Sequence, residues 1–278
     1  MRPGEQQSEA AQHSPNDTAS MNAPLVQLRA DLDAVTAVVS YLTVALDPVG
    51  DEWLSAERLV GDAEFLLEHV RATGAGRGAP DDAVAASLFV QGYAFRLGAA
   101  TLAPLVVTGR GTVVAPAQAM IRLTRNRPGA IALLSPVERA VELDSVLHSL
   151  LEHLGALVMT LRCVVRVGER MLWGNVLSSF VTVLRAIEGE TSAVHERQRI
   201  RMFADDMVAQ VSAVHGPLGS FFVVGSSPVD TWQYQRTSCC LWYQTTECVK
   251  AGIGYCGDCS LLDLNQRKAD LLAGLAVQ

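Results

Sequence analysis

The sequence predicts a mainly helical protein, α+β only through one small β element, with a short cysteine-rich segment closing the chain. Three observations carry that prediction. Apolar residues recur every three or four positions over most of residues 24–214. The rhythm fails around residues 112–135, where apolar and polar residues alternate instead. Five of the six cysteines then fall within one stretch, residues 238–260, "SCCLWYQTTECVKAGIGYCGDCS".

Taken in order, residues 1–22 are rich in Gln, Ser, Asn, Pro and Glu and have no apolar rhythm, which predicts a disordered tail. They also lack the apolar run of a secretory signal. From Pro24 to about Leu46 the spacing of Leu25, Leu28, Leu32, Val35, Val39 and Leu42 predicts a helix, and a second is expected over Ser55–Arg71. "TGAGRGAP" has the glycines of a phosphate loop, but no strand precedes it and Pro80 follows, so it reads as a linker. Asp81 and Asp82 supply an N-cap and first turn for a helix through Leu97 or beyond. In the 112–135 region "AMIRLTRN" and "AIALL" read as two short strands joined by a tight turn at "NRPG". Helix is expected again from Pro136, where Leu143, Leu147, Leu150, Leu154, Leu157, Leu161 and Val164 hold a stripe for six turns. Gly168 breaks it, helices follow over Met171–Ile187 and Val194–Val214, and "SFFVVG" predicts a strand leading into the cysteines.

Composition narrows the function. A chain of 278 residues fits one large domain or two small ones, and a hydrophobic fraction of 49% builds a core without a disulfide scaffold. A net charge of −7 argues against nucleic acid as a partner, since phosphate binding runs on basic surface. The longest apolar runs are interrupted by Arg96, or by Arg162 and Arg166, so no membrane span is expected. A cytoplasmic location follows as an expectation, and there clustered cysteines mean metal or redox chemistry more often than disulfides.

Cys256 and Cys259 form a C-x-x-C, which places two thiolates on one turn. Cys239 and Cys240 are adjacent, and neighbouring side chains of an extended segment point to opposite faces, so this pair needs a bent backbone. Zinc sites usually use a C-x-x-C-like pair on both sides, whereas a [2Fe–2S] cluster has two irons with two outer ligands each. Spacing alone leaves a cluster, a zinc site and no metal all open.

"RTSCCLWY" followed by "YCGDC" resembles the C-terminal signature of the ferric-siderophore reductase family, the FhuF-like iron reductases. "VAASLFVQGYAFRLGAATLAP" and "RMLWGNVLSSF", with its Trp173-Gly174-Asn175, look like that family's body, so the resemblance covers roughly Val84 to Leu262. It implies a [2Fe–2S] cluster held by Cys239, Cys240, Cys256 and Cys259. It implies, too, a helical body over 23–230, a cluster-binding segment over 231–278, and one-electron reduction of a ferric siderophore fed by a ferredoxin or flavin reductase. The chain departs from the family in the fifteen residues between its two cysteine pairs, a longer gap that carries Cys248. Cys248 is expected to be a bystander, and Cys163, on an apolar helix, a buried structural thiol. Arg122, Arg125 and Arg127 in "RLTRNR", or Arg197, Arg199 and Arg201 in "HERQRIR", offer docking for an anionic siderophore or an acidic donor, against the plainer reading of solvated charges. Trp232, Tyr234, Trp242 and Tyr243 are expected to shield the cysteines, and the histidines to be surface or internally satisfied residues. The competing readings are a zinc-stabilised scaffold and a non-redox siderophore-handling or biosynthetic protein.

Overall fold

The computed structural model describes residues 15–135, 137–225, 230–252 and 254–275, with side chains described between Pro24 and Ala273. Helix α1 spans Pro15–Val38, so it begins inside the stretch expected to be a tail, whose residues 1–14 lie outside those described. It ends well before Leu46: Val44–Leu46 form β1 instead, because they find an open strand edge to pair with. After β2 (Trp53–Ser55), Ser55 caps α2 (Ala56–Gly61) and Asp62 caps α3 (Ala63–Arg77), accepting from the amides of Arg58 and Phe65. The helix expected over 55–71 is thus two helices broken at Asp62.

The glycine stretch read as a linker is the last turns of α3. A β-carbon on Gly74 would stand 2.6 Å from the Ala85 side chain, and one on Gly76 would stand 2.8 Å from Asn126. Absence of side chains therefore lets α3 seat closely on its neighbours, which offsets the low helix propensity of glycine. Gly78, at φ 65, ends the helix in the left-handed conformation.

Asp81 caps α4 (Asp82–Thr108) by accepting from the Val84 amide, as its position predicts. Among the described residues, α4 is the helix long and apolar enough to cross a membrane, Arg96 notwithstanding, but 72% of its most apolar window is buried inside the fold. It is the core helix, packed against α1, α3 and the elements that follow.

The β element is larger than expected. β3 (Gly111–Val113) is followed by β4 (Ala119–Thr124) and β5 (Arg127–Leu133), then by β6 (Glu138–Ala140) where helix was expected from Pro136, itself outside the described residues. β1, β5, β4 and β2 form one sheet in that order, and β3 pairs antiparallel with β6. The hairpin turn is Arg125-Asn126, at φ 51 and 59, rather than "NRPG". Two left-handed residues match the twist of the flanking strands, and Pro128 is absorbed into β5 at a register shift opposite Leu123.

The remaining helices are α5 (Leu143–Val164), α6 (Glu169–Glu190, entered from Gly168) and α7 (Val194–His215), close to their predicted spans. The stripe of α5 is buried from Val146 to Leu161. β7 (Gly219–Val224) pairs antiparallel with β8 (Thr231–Arg236), a hairpin that crosses the boundary drawn at residue 230. Short α8 (Thr246–Ala251) and α9 (Leu264–Leu275) complete the described chain.

Candidate metal centre

β8 delivers the chain to the cysteines, and its last residue organises them. Arg236 is only 2% exposed. Its Nε donates to Asp258 Oδ2 at 2.8 Å, its Nη1 to Asn175 Oδ1 at 2.8 Å and its Nη2 to Ser178 Oγ at 2.5 Å. Ser178 Oγ in turn donates to Asp258. Since Asp258 is the third residue of the C-x-x-C, the Cys256–Cys259 turn is anchored to α6 through a buried ion pair. The Arg236 amide adds a bond to the Asp258 carbonyl at 3.1 Å.

The other pair is anchored by the same network. Asn175 Nδ2 donates to Ser87 Oγ at 2.7 Å, and Ser87 Oγ donates to the Cys240 carbonyl at 2.6 Å. Gly174 explains why α6 approaches so closely: a β-carbon there would stand 2.2 Å from Ser238 Oγ, the residue just ahead of Cys239. Ser87 on α4 and Gly174, Asn175 and Ser178 on α6 lie in the two body stretches noted in the sequence, and all of them meet the cysteine segment.

Directly after the adjacent pair, Leu241 turns the chain at φ 63. A non-glycine residue in that region costs roughly 1–2 kcal/mol. The turn brings the Leu241 amide 3.4 Å from Cys239 Sγ, and Leu261 N stands equally far from Cys259 Sγ. Cys240 Sγ lies 3.5 Å from Cys256 Sγ. Hydrogen bonds from Cys239 and Cys256 hold the Cys240 thiol well below the ordinary range, with the Arg236 charge helping against burial. Cys239, as the donor of one of those bonds, is pushed up, and it also feels the charge of Cys259. The four thiols therefore form one interacting set.

Among the described residues no three His, Cys, Asp or Glu side chains stand in an arrangement suited to holding a metal ion. Tetrahedral zinc at about 2.3 Å from each sulfur demands four sulfurs about 3.8 Å apart. Four cysteine sulfurs, two of them accepting backbone N–H bonds from Leu241 and Leu261, are a donor set that zinc and iron–sulfur sites share. Ser238 Oγ and Trp242 Nε1 beside the cysteines are buried donors without a hydrogen-bond partner among the described residues, groups suited to bonding a charged sulfur. By donor type alone, Cys239, Cys240, Cys256 and Cys259 match a [2Fe–2S] cluster, whose two irons take two thiolates each.

Cys248 stands apart. It is buried on α8, its amide is capped by Thr245 Oγ1 at 3.1 Å, and its thiol donates to the Gly254 carbonyl at 3.2 Å. α8 docks on the end of α3, where the Thr246 amide donates to the Gly78 carbonyl and Glu247 pairs with Arg77 at 2.9 Å. Cys163 is exposed, not buried: it follows Leu161 by two positions, which turns it off the apolar face of α5.

The arginine groups separate. Arg122 lies over the Trp53 ring and 3.7 Å from Glu52, Arg125 is the exposed turn residue, and Arg127 reaches Glu247 at 3.4 Å. Arg197 and Arg201 are engaged with Glu188 and Asp230, and Arg199 with Glu196. Trp232 stacks on Phe221 and both Trp232 and Tyr234 belong to the main core, whereas Tyr243 meets Tyr255 within the cysteine segment. His153 is buried and satisfied: Nδ1 donates to the Val114 carbonyl and Nε2 accepts from Tyr93 Oη at 2.7 Å. His215 stacks on Trp173 at 3.7 Å. The cavity beside His153, about 630 Å³, has no lining residue from the cysteine segment.

Sequence reasoning missed Arg236, Asp258, Ser87 and Asn175 as a unit. An arginine two residues ahead of Ser238 and a carboxylate inside the C-x-x-C were the available signals. No protein-family model matches the chain, and no curated protein matches it.

Proposed function

We propose that this protein is a ferric-siderophore reductase of the FhuF-like family, acting in the cytoplasm. The observation that supports the reading best is the network of Ser87, Asn175, Ser178, Arg236 and Asp258, which ties both cysteine pairs to the two central helices. A motif that only folded the C-terminus would not require a buried guanidinium shared between both of its halves.

A bound [2Fe–2S] cluster would supply a one-electron couple whose potential is set by nearby charge, hydrogen bonds to sulfur and exposure. The protein's own contribution is to hold four thiolates and offset their charge. Arg236 is 2% exposed beside Cys240 and Cys256, and Arg267, 7% exposed on α9, senses Cys256 and Cys259. Arg267 is itself fixed by the Tyr234 carbonyl at 3.0 Å. These cations favour the more negative, reduced state of whatever the thiolates bind.

The substrate chemistry needs no acid, base or nucleophile from the chain. One electron from a ferredoxin or flavin reductase converts chelated Fe(III) to Fe(II), which matches hard anionic oxygen donors poorly and leaves them. The test is composition and colour. Aerobically purified protein should be reddish-brown, contain iron and acid-labile sulfide in equal amounts, and bleach with dithionite. Colourless protein containing zinc would decide for a scaffold.

A further inference from the structure

One cavity near the cysteine network gathers more arginines than the carboxylates around it, among the described residues, can pair. It measures about 260 Å³ and lies between α3, α4, α6 and β5, with Arg77, Gln91, Arg96, Pro128, Ser179 and Thr182 on its walls. Its position follows from helix geometry. Gln91 is four residues beyond Ser87 on α4, and Ser179 is four beyond Asn175 on α6, so the cavity starts about 6 Å along both helices from the residues that grip the Cys240 loop. Ser179 Oγ, donating to the Gln91 carbonyl at 2.8 Å, ties the two walls together. Arg77 is close enough to interact with the charge of Cys240.

Three guanidinium groups meet here. Arg77 and Arg96 line the cavity, and each of them feels the repulsion of Arg127. A single carboxylate, Glu247, serves both Arg77, at 2.9 Å, and Arg127, at 3.4 Å. Among the described residues Arg96 has no carboxylate partner: its Nη1 donates to the Tyr41 carbonyl at 3.1 Å, and its buried Nε makes no hydrogen bond there. Three guanidinium groups thus share one carboxylate, Glu247, and the charge of Cys240, which leaves positive charge in local excess in a protein whose net charge is −7. Contrast Arg197 and Arg201, which are matched by Glu188 and Asp230.

We infer that this cavity receives an anionic arm of the ferric chelate, a catecholate or a pendant carboxylate, and that it selects negatively charged ferric siderophores over uncharged ones. The inference rests on the reductase reading and adds a substrate class to it. A tris-hydroxamate neutralises Fe(III) and gains nothing from an unbalanced cationic pocket. A tris-catecholate or carboxylate-bearing chelate keeps net negative charge, and partly buried arginines clamp such oxygens with fixed, bidentate geometry. At about 260 Å³ the cavity admits one arm, not a whole chelate.

The test uses gallium(III) chelates, which bind as the ferric ones do but are not reduced. Titration calorimetry on the cluster-loaded protein should show a gallium tris-catecholate binding at least tenfold more tightly than a gallium tris-hydroxamate. Arg96→Gln should weaken the catecholate about tenfold, Arg96→Glu further, and Arg96→Lys should recover much of the loss, with visible spectrum and thermal melt unchanged in all three. Hydroxamate affinity should not move. Equal affinity for both chelates, or catecholate binding unaffected in Arg96→Glu, would overturn the inference. If that unaffected binding came with slower electron uptake from an acidic donor protein, the patch would belong to the donor. Arg96-dependent gallium binding without reduction of the ferric chelate would leave the cavity assignment standing and remove the reductase reading.

Discussion

The two ends of the cysteine segment and the insertion between them are held in opposite ways. Cys239-Cys240 and Cys256–Cys259 are tied to α4 and α6 through one buried network around Arg236 and Asp258. The insertion, with Cys248, is satisfied by its own short helix and rests on the end of α3 through Thr246 and Glu247. Both regions bury thiols, but only one couples them to each other and to the core. Burial of a cysteine therefore says little about its role here; what its neighbours donate to and accept from says more.

The largest effect on this contrast is expected from loss of a proposed ligand. Changing Cys239, Cys240, Cys256 or Cys259 to Ser should strip or perturb the visible absorption and lower siderophore reduction in proportion, since oxygen is a harder donor than thiolate. Cys248→Ser should leave both near the parent's. A colourless Cys248→Ser protein beside a coloured Cys239→Ser protein would reverse the assignment.

Next in size is Arg236→Met. Removing one partner of a buried ion pair costs roughly 3–5 kcal/mol, and Asp258 would be left without its charge partner. The urea midpoint should fall and iron content with it, because both cysteine arms lose their common anchor. A stable Arg236→Met protein with full iron content would show the network to be dispensable.

Acid offers a control that separates the body from the site. Burial lowers the pKa of His153 to about 4, against 6.5 unperturbed. Between those values the unfolded chain binds more protons than the folded one, so stability falls as pH drops through the window, by up to about 3 kcal/mol. His153→Gln should flatten that part of the urea-midpoint profile. An unchanged slope would place the acid sensitivity elsewhere.

The smallest expected effect is on Cys163. Being exposed, it should react with iodoacetamide in the native protein with no change in colour, while Cys248 should react only on unfolding. Labelling of Cys248 at the native rate of Cys163 would contradict the closed packing of the insertion.

The long helices were legible because their apolar stripes are local and periodic; α5 is buried on the face that its leucines mark. Strands β1, β2 and β6 were not, because three-residue strands have no period to read and exist only where a sheet edge receives them. The glycines of α3 misled for a related reason. Their cost is local and visible in the sequence, while the close contacts with Ala85 and Asn126 that offset it are tertiary. At the site, the four cysteines announced themselves by spacing, whereas Arg236 and Asn175 are 61 residues apart and meet only in the fold.

If the four thiols support one-electron delivery to a ferric chelate, a single turnover of the reduced protein should show it. Protein reduced with dithionite and freed of excess reductant is mixed anaerobically with a ferric siderophore and a ferrous trap. The oxidised visible spectrum should return as trapped Fe(II) appears, one Fe(II) for each protein reoxidised. Return of the spectrum without Fe(II), or no reoxidation by any ferric siderophore tried, catecholate or hydroxamate, would contradict it.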